Sequence, residues 1–235
     1  MTVIDAEWWE YEDAEEMAEA VAGDIAYIIG QALEARGRAM VAFPGGNTPL
    51  PALKLLADMP IEWADVTILP TDDRLVPVTD KLSNAGMLAR LFLPKKARVV
   101  PLTAGETDPV AAGRAADERI ADFEWPLDVA WLGVGQDGHT ASIFAGKDFE
   151  AAIAGPKARR AIGVRPDPLP ADAPVPRVTL TGPTLATART VTLVLSGKAK
   201  RKLVEEALKQ GASSTLPIGR LLAELDMDID IHWCP

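Results

Sequence analysis

Cysteine is nearly absent from this chain of 235 residues, where Cys234 stands alone. A single thiol closes no intrachain disulfide, which excludes the small secreted folds held together by cross-links. Histidine is almost as scarce. With only His139 and His232, imidazole chemistry has two candidates, and no His/Cys cluster has metal-ligand spacing. Positive charge is short as well: 24 Lys and Arg face 34 Asp and Glu, a net charge of −10. A field of that sign repels phosphate backbones and anionic membranes, so neither nucleic acid nor a membrane is an expected partner. No apolar run approaches the roughly 20 residues that span a bilayer. The start, Met1–Glu10, is acidic where a secretory leader needs a basic start and an apolar run, and the expected location is the cytoplasm.

What remains is the composition of a folded protein. Hydrophobic residues make up 48% and charged residues 25%, a balance that excludes a disordered chain. The length suits one large α/β domain or two small ones. Along the chain, strand and helix signals alternate. Asp13–Arg36 carries Met17, Val21, Ile25, Ile29 and Leu33 at helical spacing and stops at Gly37. Ala39–Phe43 reads as a strand that breaks into Pro44-Gly-Gly-Asn-Thr-Pro49, with a helix restarting over Leu50–Ala57, Thr48 as its cap and Pro49 in its first position. Val66–Leu69 is a strand, Thr71–Leu82 a polar loop, and Ser83 caps a helix through Leu91. Val99–Leu102 is a short strand, Pro109–Phe123 a helix, and Leu127–Val134 a strand apolar on nearly every residue, as burial on both faces requires. Val191–Leu195 is another buried strand before a lysine-rich helix over 198–209. The proline-rich Arg165–Pro176 reads as a surface loop, not a linker. The expected fold is therefore α/β: one domain over residues 1–235, with a mostly parallel, doubly wound, Rossmann-like sheet and helices on both faces. Ligands of such sheets bind beyond the carboxyl ends of the strands.

The motifs fall at that end. In Pro44–Pro49, Gly45 and Gly46 let backbone approach a ligand, and the next helix start favours an anion. Its bland reading is a tight strand-to-helix turn. Thr71-Asp-Asp-Arg-Leu-Val-Pro77, followed by Ser83-Asn84, places carboxylates and a guanidinium past a buried strand; taken alone it reads as a surface ion pair. Leu132-Gly-Val-Gly-Gln-Asp-Gly-His-Thr-Ala-Ser142 contains the spacing G-x-G-x-x-G. As a dinucleotide fingerprint it is misplaced, lying past mid-chain with no convincing strand after it. Instead it presents Asp137 and His139 in a glycine loop. Imidazole, with an ordinary pKa of about 6.5, is a suitable general base near neutral pH; the bland reading is a histidine at a helix start. His232 reads as an edge-strand residue without chemistry. Ser142 lacks a nucleophile elbow. Arg177 leads a short β-rich run, and Gly197-Lys-Ala-Lys200 sets cations against a helix dipole, where an anion is the natural complement.

Taken together, in this order and over most of the chain, these five elements resemble the 6-phosphogluconolactonase family, a branch of the group that includes glucosamine-6-phosphate isomerases and deaminases. Asn47 stands where that family's loop usually has Ser, and Asp73 where it has Glu. The deaminase branch carries a glutamate five residues after the histidine; here that residue is Phe144, which favours the lactonase branch. The resemblance implies hydrolysis of 6-phospho-D-glucono-1,5-lactone, a sugar-phosphate lactone, with His139 as general base and Asp137 beside it. It implies that Gly45, Gly46, Asn47, Thr48, Asp72, Arg74, Arg177 and Lys200 bind the substrate and its phosphate, with no cofactor and no metal. A monomer or small homo-oligomer is expected. Two other classes stay open at this point: a glucosamine-6-phosphate isomerase or deaminase, and a non-catalytic sugar-phosphate binding module.

Overall fold

A computed structural model describes Ile4 and residues 6–235; Met1–Val3 and Asp5 of the acidic start lie outside the described residues. Strand β1 (Ala6–Glu10) leads to helix α1 (Ala14–Arg36). Asp13 caps that helix by accepting from the Glu15 and Glu16 N–H groups, and Gly37 closes it at φ 70°, a left-handed turn that favours glycine. Next come β2 (Ala39–Phe43), α2 (Leu50–Ala57), β3 (Val66–Pro70), β4 (Asp72–Arg74), α3 (Asn84–Phe92), β5 (Arg98–Val99) and α4 (Pro109–Ile120). The second half holds β6 (Val129–Leu132), α5 (Phe149–Ile153), β7 (Ala161–Val164), β8 (Arg177–Leu180) and α6 (Gly182–Ala186). It closes with β9 (Val191–Ser196), α7 (Lys198–Gln210), α8 (Pro217–Leu222) and β10 (Ile229–Cys234).

Seven strands form one parallel sheet in the order β1-β10-β9-β6-β2-β3-β5. Its residues divide between two cores by simple alternation, because successive side chains of a strand point to opposite faces. Met40, Ala42, Ala130, Leu132, Leu193 and Leu195 pack on one face with α4, α7 and α8. Val41, Phe43, Val129, Trp131 and Val194 pack on the other with α1, α2 and α3. Both faces are covered, as the apolar runs of Ala39–Phe43 and Leu127–Val134 require.

Several local expectations change. Thr48 is not the cap of α2: the helix begins at Leu50, Pro49 takes the cap position, and no side chain bonds the first turn. Thr48 stays exposed and free for other partners. The Val99–Leu102 strand shrinks to Arg98–Val99, and the helix from Pro109 ends at Ile120. The polar loop after Val66–Leu69 contains β4, which pairs with β8 in a second, antiparallel sheet of order β4-β8-β7. Such a pairing joins residues about a hundred positions apart, and no local pattern announces it.

His232 is not on an edge. β10 lies between β1 and β9, and His232 is 2% exposed. Its Nδ1 is 2.8 Å from the Tyr11 hydroxyl. Burial pushes its pKa below the ordinary imidazole value, while Asp24 and Asp230 pull upward. The unfolded chain therefore binds a proton that the folded one resists, from about pH 6.5 downward. Stability from this neutral imidazole is fully present above that pH and is lost as pH falls toward the lowered folded value. We predict that His232→Gln flattens the acid limb by at most one proton, about 1.4 kcal/mol per pH unit. Urea melts of both proteins between pH 7 and 5 check this; parallel slopes would refute it.

Candidate active site

At the carboxyl ends of β2, β3, β6 and β9 lies a cavity of about 250 Å³. Its walls come from separate crossovers, the arrangement that places ligands beyond the strand ends of open α/β sheets. Gly45, Gly46, Asn47 and Thr48 enter from the β2–α2 loop, Asp72 and Arg74 from β4, Gly133, Gly135 and His139 from the loop after β6, Arg177 from β8 and Lys200 from α7.

Two glycines have steric duties here. A Cβ on Gly45 would land on the Asn84 amide, and a Cβ on Gly135 would land in the His139 ring. Both loops therefore close onto functional side chains at distances that only glycine permits. Within the second loop, Gly138 adopts φ 80°, and the Gly135 N–H donates to the His139 carbonyl at 2.8 Å. This tight turn brings the imidazole back to its neighbour: His139 Nδ1 is 2.5 Å from Asp137 Oδ1, and the His139 backbone N–H also reaches Asp137 Oδ1, at 3.2 Å. The hydrogen bond from His139 holds the Asp137 carboxyl below the usual carboxylate range, against the opposing effect of burial. Asp137 does not line the cavity; His139 does. The acid stands behind the base. With Nδ1 engaged, Nε2 has no hydrogen-bond partner among the described residues and is left for a ligand.

The cationic side is equally structured. Arg74 Nη1 donates to Asn84 Oδ1 at 2.6 Å and to the Leu82 carbonyl at 3.1 Å. Asn84 in turn donates from Nδ2 to the Asp72 carbonyl at 2.8 Å. Asp72 is buried, accepts from Ser142 Oγ at 2.5 Å and lies 4.0 Å from Arg177 Nη1. Arg177 is 3% exposed and donates to the Ala173 carbonyl at 3.2 Å. Arg74 Nε and Arg177 Nε are buried without a hydrogen-bond partner. Burial lowers the pKa of Arg177, with Asp72 opposing, and burial also lowers that of Lys200. Three cations partly stripped of water, two with unmet donors, make an environment that a bound anion would complete.

Asp73 faces away from this work. Its carboxylate accepts from the Asn84 N–H at 2.7 Å, the Arg74 N–H at 2.9 Å, the Ala85 N–H at 3.1 Å and Ser83 Oγ at 3.2 Å, tying β4 to the start of α3. Burial pushes its carboxyl up to about 6 against those backbone donors, and Asp72 adds to the rise. The shorter acid at this position thus serves as a structural tie.

Of the residues singled out from sequence, Gly45, Gly46, Asn47, Thr48, Asp72, Arg74, His139, Arg177 and Lys200 meet at one cavity, and Asp137 bonds to its imidazole. Sequence reasoning gave no role to Asn84, although it stands in the quoted Ser83-Asn84 pair. It also passed over Asp172, which the proline-rich loop delivers to the cavity wall. The loop after β6 is no dinucleotide fingerprint: α5 is only 5 residues long, and the next strand, β7, belongs to the antiparallel sheet. Among the described residues no group of three or more His, Cys, Asp or Glu is placed to hold a metal ion, and no helix is long and apolar enough to cross a membrane.

An imidazole–carboxylate pair and three cations thus meet at one cavity of a parallel α/β sheet, and comparison with known proteins gives the family. The profile described as "Glucosamine-6-phosphate isomerases/6-phosphogluconolactonase" matches residues 12–231, and the chain belongs to that family. It is 36% identical to a 6-phosphogluconolactonase of Pseudomonas putida over 96% of this chain and 92% of that one. A 6-phosphogluconolactonase of Mesorhizobium japonicum is 35% identical, over 97% and 95%. Among solved structures, a 6-phosphogluconolactonase from Shewanella baltica superposes with a TM-score of 0.91 at 27% identity, covering 100% of both chains.

Proposed function

We propose that this chain is a carboxylic ester hydrolase that opens 6-phospho-D-glucono-1,5-lactone to 6-phospho-D-gluconate, a step of the oxidative pentose phosphate pathway. The observation that carries the mechanism is the 2.5 Å contact of His139 Nδ1 with Asp137, behind an imidazole that lines the same cavity as Arg74, Arg177 and Lys200. Water attacks the lactone carbonyl while His139 Nε2 takes its proton. Asp137 fixes the tautomer with hydrogen on Nδ1 and stabilises the imidazolium that forms. The imidazolium then returns the proton to the ring oxygen as the C–O bond breaks, giving the free hydroxyl and the carboxylic acid, which ionises at neutral pH. N–H groups of the glycine turn after β6 complement the oxyanion. No oxidation state changes, and the ester carbonyl is already electrophilic.

The phosphate is held by Gly45, Gly46, Asn47 and Thr48 with Arg74, Arg177 and Lys200. Asp72, already bonded to Ser142 and close to Arg177, orients that arginine more than it meets an anion directly. We place the protein in the cytoplasm, acting through one domain over residues 1–235 as a monomer or small homo-oligomer. The test is hydrolysis of freshly generated lactone, corrected for spontaneous opening, with 6-phosphogluconate as product inhibitor. Turnover above background with competitive inhibition is expected; ammonia release from glucosamine 6-phosphate without lactone turnover would overturn the reading.

A further inference from the structure

Phe144 occupies a place that no hydrogen bond reaches. Its ring lies on the His139 imidazole, with centroids 4.2 Å apart and planes 28° from parallel. The guanidinium carbon of Arg177 stands 5.3 Å from the centroid of the same ring. One aromatic side chain therefore touches both the base and a phosphate-binding cation. The backbone is bent to achieve this. Ala141 adopts φ 48°, a left-handed conformation that is strained for a residue with a Cβ. Thr140 and Ile143 form an isolated antiparallel bridge, and the Ile143 N–H donates to the Thr140 carbonyl at 2.9 Å. Buried Ile143 and Ser142 anchor the reversal, and residue 144 returns over residue 139.

Each partner has few polar contacts of its own. The imidazole has one side-chain hydrogen bond, from Nδ1 to Asp137, and packs close to the Gly135 backbone. Arg177 has one hydrogen bond, to the Ala173 carbonyl, and a 4.0 Å approach to Asp72. An aromatic face supplies what both lack: a plane to stack on, and a negative quadrupole that attracts a guanidinium and an imidazolium alike. An aliphatic side chain of similar bulk fills the space and supplies neither.

We propose that Phe144 is a positioning residue that sets the His139 imidazole and the Arg177 guanidinium from one ring. This rests on the lactonase reading above and extends it to a residue outside the acid–base pair. Phe144 is half-buried, and Phe144→Tyr keeps the ring. Phe144→Leu keeps the bulk and removes it. The expected result for Phe144→Leu is a kcat about tenfold lower, from the freed imidazole, and a KM about tenfold higher, from the freed arginine, within the range that small misplacements cost. Phe144→Tyr is expected to recover both parameters to within about threefold, since stacking depends on the ring.

A second readout separates positioning from misfolding. The protein has two histidines, so its imidazole Cε1–H region holds two resonances. In Phe144→Leu the His139 signal moves downfield on losing the ring current, while the buried His232 signal stays and certifies the fold. Phe144→Leu at wild-type kcat and KM overturns the proposal, as does Phe144→Tyr no better than Phe144→Leu. In either case an inactive His139→Ala leaves the lactonase reading standing. A His139→Ala enzyme at full rate overturns that reading, and this proposal with it.

Discussion

Replacing His139 by Ala is expected to slow lactone hydrolysis by about 10²–10⁴-fold, the range that positioned acid–base catalysis supplies. The effect should fall on kcat. His139 is on a loop, with its side chain 28% exposed, and contributes nothing to either core cluster, so its truncation leaves the fold intact and Arg74, Arg177 and Lys200 in place. KM is therefore expected to change little. Asp137→Asn should cost less, because its amide oxygen still accepts from Nδ1–H while losing the charge that steadies an imidazolium. Initial rates on fresh lactone, with spontaneous opening subtracted, measure both. A His139→Ala protein that keeps the wild-type rate would remove the imidazole from the mechanism.

Which parts of the site are legible in the sequence depends on which contacts are local along the chain. His139 and Asp137 are two residues apart in one glycine turn, so their contact is legible from the loop alone. Gly45–Thr48 is legible for the same reason: a strand, a turn and a helix in succession present free N–H groups at a known end of the sheet. The sheet itself follows from alternating signals and from runs such as Ala39–Phe43 that are apolar on every residue. What escapes such reading is built across distance. Asp72 pairs with Thr179 and Arg74 with Arg177 across the β4–β8 ladder, yet Asp72–Arg74 is short and charged and carries no strand pattern. Of the two facing arginines, Arg74 is bonded to Asn84 and Arg177 stands near the Asp72 carboxylate, contacts that exist only in three dimensions. His232 escapes for a related reason. Its alternating neighbours suggested an edge, but β1, with Trp8 and Trp9 among acidic residues, gives no clear strand signal and covers it.

Nor does the net charge of −10 oppose a phosphorylated substrate. Arg177 and Lys200 are withdrawn from solvent with their pKa values lowered by burial, so they act at short range, within the cavity. Surface carboxylates outside it are screened over about 10 Å at 0.1 M salt. The global charge governs long polyanions, whereas a few buried cations are enough to meet one phosphate.

The same dependence on distant contacts makes Gly45→Ala the second large effect. The new methyl group would occupy the position of the Asn84 amide, and Asn84 has little freedom to yield. Its Oδ1 receives Arg74 at 2.6 Å, its Nδ2 donates to the Asp72 carbonyl at 2.8 Å, and its own N–H donates to Asp73 at 2.7 Å. Either the β2–α2 loop moves away from the cavity or the Asn84–Arg74 link breaks; both disturb groups that we propose hold the phosphate. Arg74, released, would retain its bond to the Leu82 carbonyl at 3.1 Å and leave its Nε still unpaired. The expected outcome is a KM and a 6-phosphogluconate inhibition constant each raised about tenfold or more, about 1.4 kcal/mol of lost binding. Neither the loop nor Arg74 is hydrogen-bonded to His139 or Asp137 among the described residues, so kcat should fall less than KM rises. This is the reverse of the His139→Ala pattern, and the two variants assayed side by side separate binding from proton transfer. Unchanged KM and inhibition constants in Gly45→Ala would show that the glycine loop does not hold the phosphate.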